Sequence, residues 1–272
     1  MKSFCLLIIR LLFIIDIAFS ASWQLIWSDE FDTEGLPGTA KWTYEEGFVR
    51  NEESQYYTRG RSENARISSG CLIIEGRKER ITNPFYRPGD ESWRLNREYA
   101  EYTSASLTTR GKFSFLYGRA EIRAKLPAGK GNWPAFWTLG ADWPEVRWPY
   151  CGEIDIMEYV GLYPNRILSA LHYSLEGKHN SQEKSIRTPS PYKDFHVYAM
   201  EWYPEHIDFF FDNTLYFTFP LDSAGIGGGN PFRKPQFLII NLALGGGAGG
   251  IIDDSIFPQR FVIDYVRVYK KQ

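Results

Sequence analysis

Short runs in which apolar and polar residues alternate recur along most of the chain. No stretch carries the three-to-four spacing and end caps of a long amphipathic helix. The clearest run is 117–126, where Arg119, Glu121, Arg123 and Lys125 alternate with Ala120, Ile122, Ala124 and Leu126. Such alternation suits a strand of an antiparallel sheet with one side buried. The same reading predicts strands within 23–31, 65–75, 105–115, 132–140, 167–173, 195–203, 207–211, 215–219, 237–242 and 261–269, and a strand plus a loop within 42–57. Residues 76–102 are polar and interrupted by Pro84, Pro88 and Gly89, so they read as the longest loop. Roughly a dozen short strands divided by turn residues predict one all-β domain of two packed antiparallel sheets.

One strand-like stretch breaks the pattern in an informative way. Gly152-Glu153-Ile154-Asp155-Ile156-Met157-Glu158 places three carboxylates among large apolar residues. On a regular strand Glu153 and Asp155 share a face, Ile154 takes the other, and Glu158 falls out of phase. A β-bulge near Ile156 or Met157 would return Glu158 to the face of Glu153 and Asp155, with Ile154 and one of Ile156 and Met157 in the core. Spacing alone leaves the alternative equally open, in which Glu158 sits past the strand end in water.

The N-terminus changes the picture of where the domain begins. Lys2, an apolar run over 5–19 broken by Arg10 and Asp16, and small residues at Ala18 and Ser20 predict a signal peptide cut after Ser20. The expected product is a secreted or extracytoplasmic domain of residues 21–272, without stable membrane insertion. Formal net charge is −2, from 31 basic and 33 acidic residues, with no basic stripe, so nucleic acid is not expected as a partner. Beyond the leader only Cys71 and Cys151 remain, and they read as two unpaired thiols. The glycine clusters 225–229 and 245–250 fit tight turns and lack the context of a phosphate loop. His172, His179, His196 and His206 form no metal-binding spacing, and no Gly-x-Ser-x-Gly elbow occurs. No oligomerisation feature stands out, and a monomer is expected.

Paired carboxylates in an aromatic-rich chain, 17% Phe, Trp and Tyr, point to glycoside hydrolysis. One carboxylate attacks the sugar and the other protonates the leaving oxygen when the two lie about 5–5.5 Å apart. Glu153 and Glu158 are roughly 13 Å apart along a regular strand, so only convergence over a curved sheet would bring them together. Asp155 between them is expected to hold a proton on Glu158 by like-charge repulsion and to orient the nucleophile by a hydrogen bond. Trp133 and Trp137 share one strand face, where they can stack on sugar rings or serve as core. Trp143 and Trp148 read as loop or rim residues. His172 can bridge to Asp155 or Glu158, or serve only structure.

These residues together resemble glycoside hydrolase family 16, the laminarinase-like β-glucanases. The family pattern Glu-x-Asp-x-x-Glu is matched by Glu153, Asp155 and Glu158. Trp27-Ser28-Asp29-Glu30-Phe31, the run Trp133 to Leu139, Asn241 to Gly246 and Ile263 to Tyr269 are similar to the laminarinase branch and follow its order. The resemblance implies a β-jelly-roll sandwich of two curved antiparallel sheets, concanavalin A-like, with a concave substrate cleft. It implies retaining endo-hydrolysis of internal β-1,3 linkages in laminarin-like β-glucan, with Glu153 as nucleophile, Glu158 as acid/base and Asp155 as the assisting carboxylate. It further implies substrate contacts from Asn51, Trp133, Trp137 and His172, with Glu52 and Arg97 as further contacts. No cofactor is expected for catalysis. A structural Ca2+ would map to Glu30, the carbonyl of Gly70 and Asp264, oxygen donors that suit a hard cation. The variable loops 83–101 and 141–144 leave the choice between β-1,3 and mixed-linkage glucan open.

Overall fold

The computed structural model describes residues 22–272, so the signal-peptide expectation lies outside the described residues. In chain order the strands are β1 (Trp23–Asp29), β2 (Thr43–Tyr44), β3 (Gln55–Tyr57), β4 (Ala65–Ser68), β5 (Cys71–Thr82), β6 (Tyr99–Ser104), β7 (Ser106–Thr108), β8 (Gly118–Lys125) and β9 (Asn132–Gly140). They continue as β10 (Glu153–Glu158), β11 (Arg166–Leu175), β12 (Lys178–Arg187), β13 (His196–Trp202), β14 (His206–Phe211), β15 (Thr214–Pro220), β16 (Gln236–Leu244) and β17 (Gln259–Lys271). The described helices are short, such as α1 (Trp143–Val146) and α2 (Gly246–Gly249).

Two sheets pack face to face, as the alternation predicted. A ten-stranded sheet runs β15-β14-β13-β8-β17-β5-β6-β3, with β1 added on β17 and β4 on β5. A seven-stranded sheet runs β12-β11-β10-β9-β16-β7-β2. The pairings are antiparallel except that β3 runs parallel to β6. This is the β-jelly-roll sandwich. Ile122, Val266 and Val268 from the larger sheet meet Phe136, Ile154, Leu171, Leu238, Ile240 and Leu242 from the smaller in one core.

Why the middle of the smaller sheet carries unbroken apolar runs follows from its second face. On β16, Leu238, Ile240, Leu242 and Leu244 enter the core between the sheets. Phe237 and Ile239 point the other way and join Ala135, Trp137 and Leu139 of β9 in a separate apolar layer. That layer floors a cleft. Strands buried on both faces lose the period-two signature that β8 retains.

Three sequence readings need correction. Residues 76–82 are not loop but the second half of β5, paired with β6, so the loop is shorter than 76–102. Within 105–115 only Ser106–Thr108 is strand, because the chain then turns, with Lys112 and Phe113 N–H bonding back to the Thr109 carbonyl. The entire β12 was unpredicted, since Lys-His-Asn-Ser-Gln-Glu-Lys-Ser has no apolar period; its order comes from a ten-residue ladder with β11. Cys71 and Cys151 are both free thiols.

Candidate active site

The carboxylate strand is bulged. Against β9, Asp155 faces Trp137 and Met157 faces Phe136, leaving Ile156 as the extra residue. Against β11 the register moves from Asp155 opposite Ala170 to Glu158 opposite Leu168. Both Ile156 and Met157 are buried, where only one was expected to be. A bulge frees a backbone group from the ladder. Here the Ile156 carbonyl accepts from Ser169 Oγ at 2.7 Å, and Ser169 Oγ lies 2.6 Å from Tyr216 Oη of the opposite sheet. Nothing in the sequence singled out Ser169 or Tyr216. Gly140 closes β9 beside the carboxylate strand, its N–H bonded to the Gly152 carbonyl at 3.2 Å.

Glu153 and Glu158 open into a cleft of about 730 Å3 that crosses the smaller sheet. Its wall runs from His179 and Glu183 on β12, past Trp133 and Trp137 on β9, to Thr108 on β7 and Glu45 just after β2. Trp143 and Trp148 line it too, and Trp148 is 45% exposed at the rim. Trp133 Nε1 donates to Glu158 Oε1 at 2.8 Å, fixing that carboxyl. Trp137 Nε1 donates to Asn241 Oδ1 at 2.7 Å, Asn241 Nδ2 donates to Tyr57 Oη at 3.0 Å, and Tyr57 Oη donates to Glu53 Oε2 at 3.2 Å. The Trp137 ring is therefore held from behind by a buried polar chain.

The other expected contacts divide. Asn51 lines the cleft with a left-handed backbone, φ 54°, and its carbonyl accepts the Gly247 N–H at 3.1 Å. His172 lines it with Nε2 3.5 Å from Asp155 Oδ2 and Nδ1 3.1 Å from His179 Nε2. Glu52 and Arg97 are not in the cleft wall; Arg97 is spent on the Glu53 carbonyl at 3.1 Å and on the Phe48 and Trp93 rings. Arg50, Glu45, His179 and Glu183 are in it without having been foreseen.

Burial pushes the Glu153 carboxyl up to about 7, opposed by the Arg50 charge and by hydrogen bonds from Trp148 and Asp155. Burial likewise raises Glu158 to about 7, helped by the charges of Glu153 and Glu183 and opposed by the Trp133 hydrogen bond. Asp155 is raised well above the ordinary carboxylate range, by burial and then by the charges of Glu153 and Glu158. The neighbouring charges that raise Glu158 are those of Glu153 and Glu183. Burial, and then the charge of His179, lower His172 to about 4.

Oxygen and nitrogen donors suited to a cation occur at the same place. Glu153, Asp155 and His172 each offer one ligand atom within 4.8 Å of the others. At the expected calcium position the donor chemistry is suitable, but both carboxylates are engaged. Glu30 accepts from Arg267 Nη2 at 2.7 Å and Nε at 3.0 Å, and Asp264 accepts from Arg123 Nη1 at 2.6 Å.

A cleft with aromatic walls and three carboxyls on one bulged strand, one of them bonded to an indole, is equipped for acid-assisted displacement at a sugar carbon. Comparison with known proteins agrees. Residues 53–267 match the model for glycosyl hydrolases family 16. A β-glucanase of Rhodothermus marinus is 46% identical over 260 residues, covering 91% of this chain and 85% of that protein. The X-ray structure of the laminarinase from Rhodothermus marinus superposes with a TM-score of 0.79 at 44% identity, covering 93% of this chain and 99% of the other. A solved chain reported with endo-acting O-glycanases, expressed by members of the human gut microbiota to initiate mucin breakdown, gives a TM-score of 0.84 at 36% identity, over 92% and 91% of the two chains. With the fold, the bulged carboxylate strand and four-fifths of the sequence pointing one way, the chain belongs to glycoside hydrolase family 16.

Proposed function

We propose that this glycoside hydrolase cleaves internal β-1,3-glucosidic linkages of laminarin-like β-glucans with retention of configuration. The observation that carries the reading is the bulge at Ile156, which sets Glu158 on the face of Glu153 and Asp155 in an aromatic cleft. Glu153 attacks the anomeric carbon while Glu158 gives its proton to the departing oxygen, and a glycosyl ester forms on Glu153. Glu158, now ionised, takes a proton from water, which attacks the same carbon and frees Glu153. Asp155 keeps one Glu153 oxygen hydrogen-bonded throughout. Trp133, Trp137, Asn51 and His172 hold the sugars. Similarity to the β-glucanase and laminarinase of Rhodothermus marinus supports a β-glucan substrate.

Reducing-end release from laminarin, barley mixed-linkage glucan and agarose, by wild type beside Glu153→Gln, tests this. Laminarin should be cleaved fastest, and only by wild type. Binding of laminarin without cleavage would instead indicate a glucan-recognition protein. Likeness to the O-glycanase chain supports a second reading, cleavage within mucin-type O-glycans. Mucin glycopeptide belongs beside the three polysaccharides for that reason.

The pH profile follows from the two glutamates. Activity needs Glu153 ionised and Glu158 protonated, and the coupled pair is raised toward neutrality. As pH falls Glu153 gains a proton and the rate drops; as pH rises Glu158 loses its proton and the rate drops again. A bell centred near neutrality is expected for kcat/KM on laminarin. A maximum below about pH 5, near unperturbed carboxyls, would contradict the burial argument.

Calcium at Glu30, the Gly70 carbonyl and Asp264 is part of the proposal, with Arg267 and Arg123 swinging aside to release the carboxylates. Millimolar CaCl2 should then raise the Tm by several degrees, and Asp264→Asn should abolish the rise. A Tm indifferent to both calcium and chelator would remove the ion. The leader is proposed to end at Ser20, so N-terminal sequencing of exported protein should begin at Ala21.

A further inference from the structure

One strand in each sheet carries a residue too many for its ladder, and a single side chain joins the two irregularities across the core. On β10 the extra residue is Ile156. On β15 it is Tyr216, because Phe217 pairs with Phe209 and Leu215 with Phe210 of β14. Period two would put Tyr216 on the side of Thr214 and Thr218, both exposed. The bulge turns it inward instead, and it packs half-buried against the core between the sheets.

Ser169 of β11 stands between them. Its neighbours Leu168 and Ala170 line the cleft, so Ser169 faces the other way, fully buried in the row of Ile167, Leu171 and Tyr173. A hydroxyl in that apolar row needs partners. Its one proton goes to the Ile156 carbonyl at 2.7 Å, since a carbonyl can only accept. Tyr216 Oη, 2.6 Å away, is therefore the donor to Ser169 Oγ. Tyr216 thus aims the serine hydroxyl, and the serine satisfies the carbonyl that the β10 bulge frees. Without that donor the bulged register leaves a buried carbonyl unpaired, which is costly. A regular register would pair it but turn Glu158 to the core side.

We propose that Ser169 and Tyr216 are positioning residues for Glu158, acting through the backbone of the bulge. This rests on the reading of Glu158 as the proton donor to the departing oxygen. The irregularity lies between Asp155 and Met157, so Glu153 and Asp155 keep their partners Leu139 and Trp137 on β9 whatever happens to it. Glu158 lies beyond it and takes up any loss of register. Trp133 holds the Glu158 carboxyl from the cleft, and the opposite sheet holds from behind the strand that carries it.

The test uses the fact that a poor leaving group needs the proton and a good one does not. For phenyl and 2,4-dinitrophenyl β-laminaribioside, kcat/KM reports the first displacement alone. Ser169→Ala should lower it by about tenfold or more on the phenyl glycoside and by less than about threefold on the dinitrophenyl one. Tyr216→Phe keeps the ring and removes only the hydroxyl, and it should show the same selective loss at about threefold. General loosening of the core would lower Tm and slow both glycosides by one factor. A folded Ser169→Ala that slows both equally, or neither, overturns the inference while the reading of the site stands. If that variant does not fold, the same outcomes in Tyr216→Phe overturn it. If Glu158→Ala itself shows no selective loss on the phenyl glycoside, the reading of Glu158 fails and the inference with it.

Discussion

Glu153→Ala is expected to lower kcat/KM on laminarin by about 10^4-fold or more, a loss of at least ~5.5 kcal/mol of transition-state stabilisation. Removing the proposed nucleophile leaves a space at the anomeric carbon that buried Asp155 does not fill. Small anions distinguish this role from that of Glu158. Azide supplied to Glu153→Ala should attack directly and give a glycosyl azide of inverted configuration. Supplied to Glu158→Ala, azide should intercept the covalent intermediate and give the retained configuration, because the nucleophile is intact. Glu158→Ala should lose as much activity on laminarin and much less on an aryl glycoside with a good leaving group, which does not need the proton. Asp155→Asn should cost only about 10–100-fold, since the amide N–H can take over as donor to Glu153. Near-normal hydrolysis by Glu153→Ala, or the two azide products exchanged, would undo the assignment.

Gly140→Ala is expected to be the most damaging single methyl in the smaller sheet with respect to the active site. A Cβ at this position would lie 2.3 Å from the Cys151 carbonyl oxygen, 2.8 Å from Asp142 Oδ1 and 3.0 Å from Cys151 Cβ. Two of the three obstacles belong to Cys151, in the turn just before the carboxylate strand: its carbonyl is backbone, and the residue is fully buried. The third is tied as well, by a 2.9 Å ion pair between Asp142 and Lys234. The methyl can be seated only by moving the start of the carboxylate strand away from β9, which displaces Glu153. A destabilisation of about 3 kcal/mol or more follows, with a Tm lower by roughly 6–12 °C and a large loss of kcat. Gly38→Ala, where nothing lies within 4 Å of the new atom, is the matched control and should be nearly neutral. Should Gly140→Ala retain wild-type Tm and activity, the close approach of these two segments would not be a constraint on the site.

The candidate chemistry was legible to different depths at different residues. Glu153 and Asp155 share a face by period alone, whereas the place of Glu158 depended on one unpaired residue, Ile156. Bulges are settled by partners across the ladder, and here Ser169 and Tyr216 are thirteen and sixty residues away from Ile156 in the chain. Trp137 showed that an aromatic can be both alternatives at once: it is 6% exposed, packed in an apolar layer, and also floors the cleft. Arg97, expected as a contact, is turned to the Glu53 carbonyl, while Arg50, unremarked in sequence, reaches the cleft floor. Neither outcome has a local signal, because loop residues are oriented by what they pack against.

Sequence by itself determined that this protein is all-β, with two sheets, an apolar core and a carboxylate triplet on one strand, because side-chain direction alternates along any extended chain and burial selects its residues. Tertiary structure alone decided three things: that β12, without apolar period, is ordered by its ladder with β11; that burial raises all three carboxyls of the bulged strand; and that Arg50 rather than Arg97 enters the cleft. The reason is common to all three. Backbone pairing, desolvation and the charge of neighbours are properties of groups brought together in space, and proximity in space is not written in the period of a sequence.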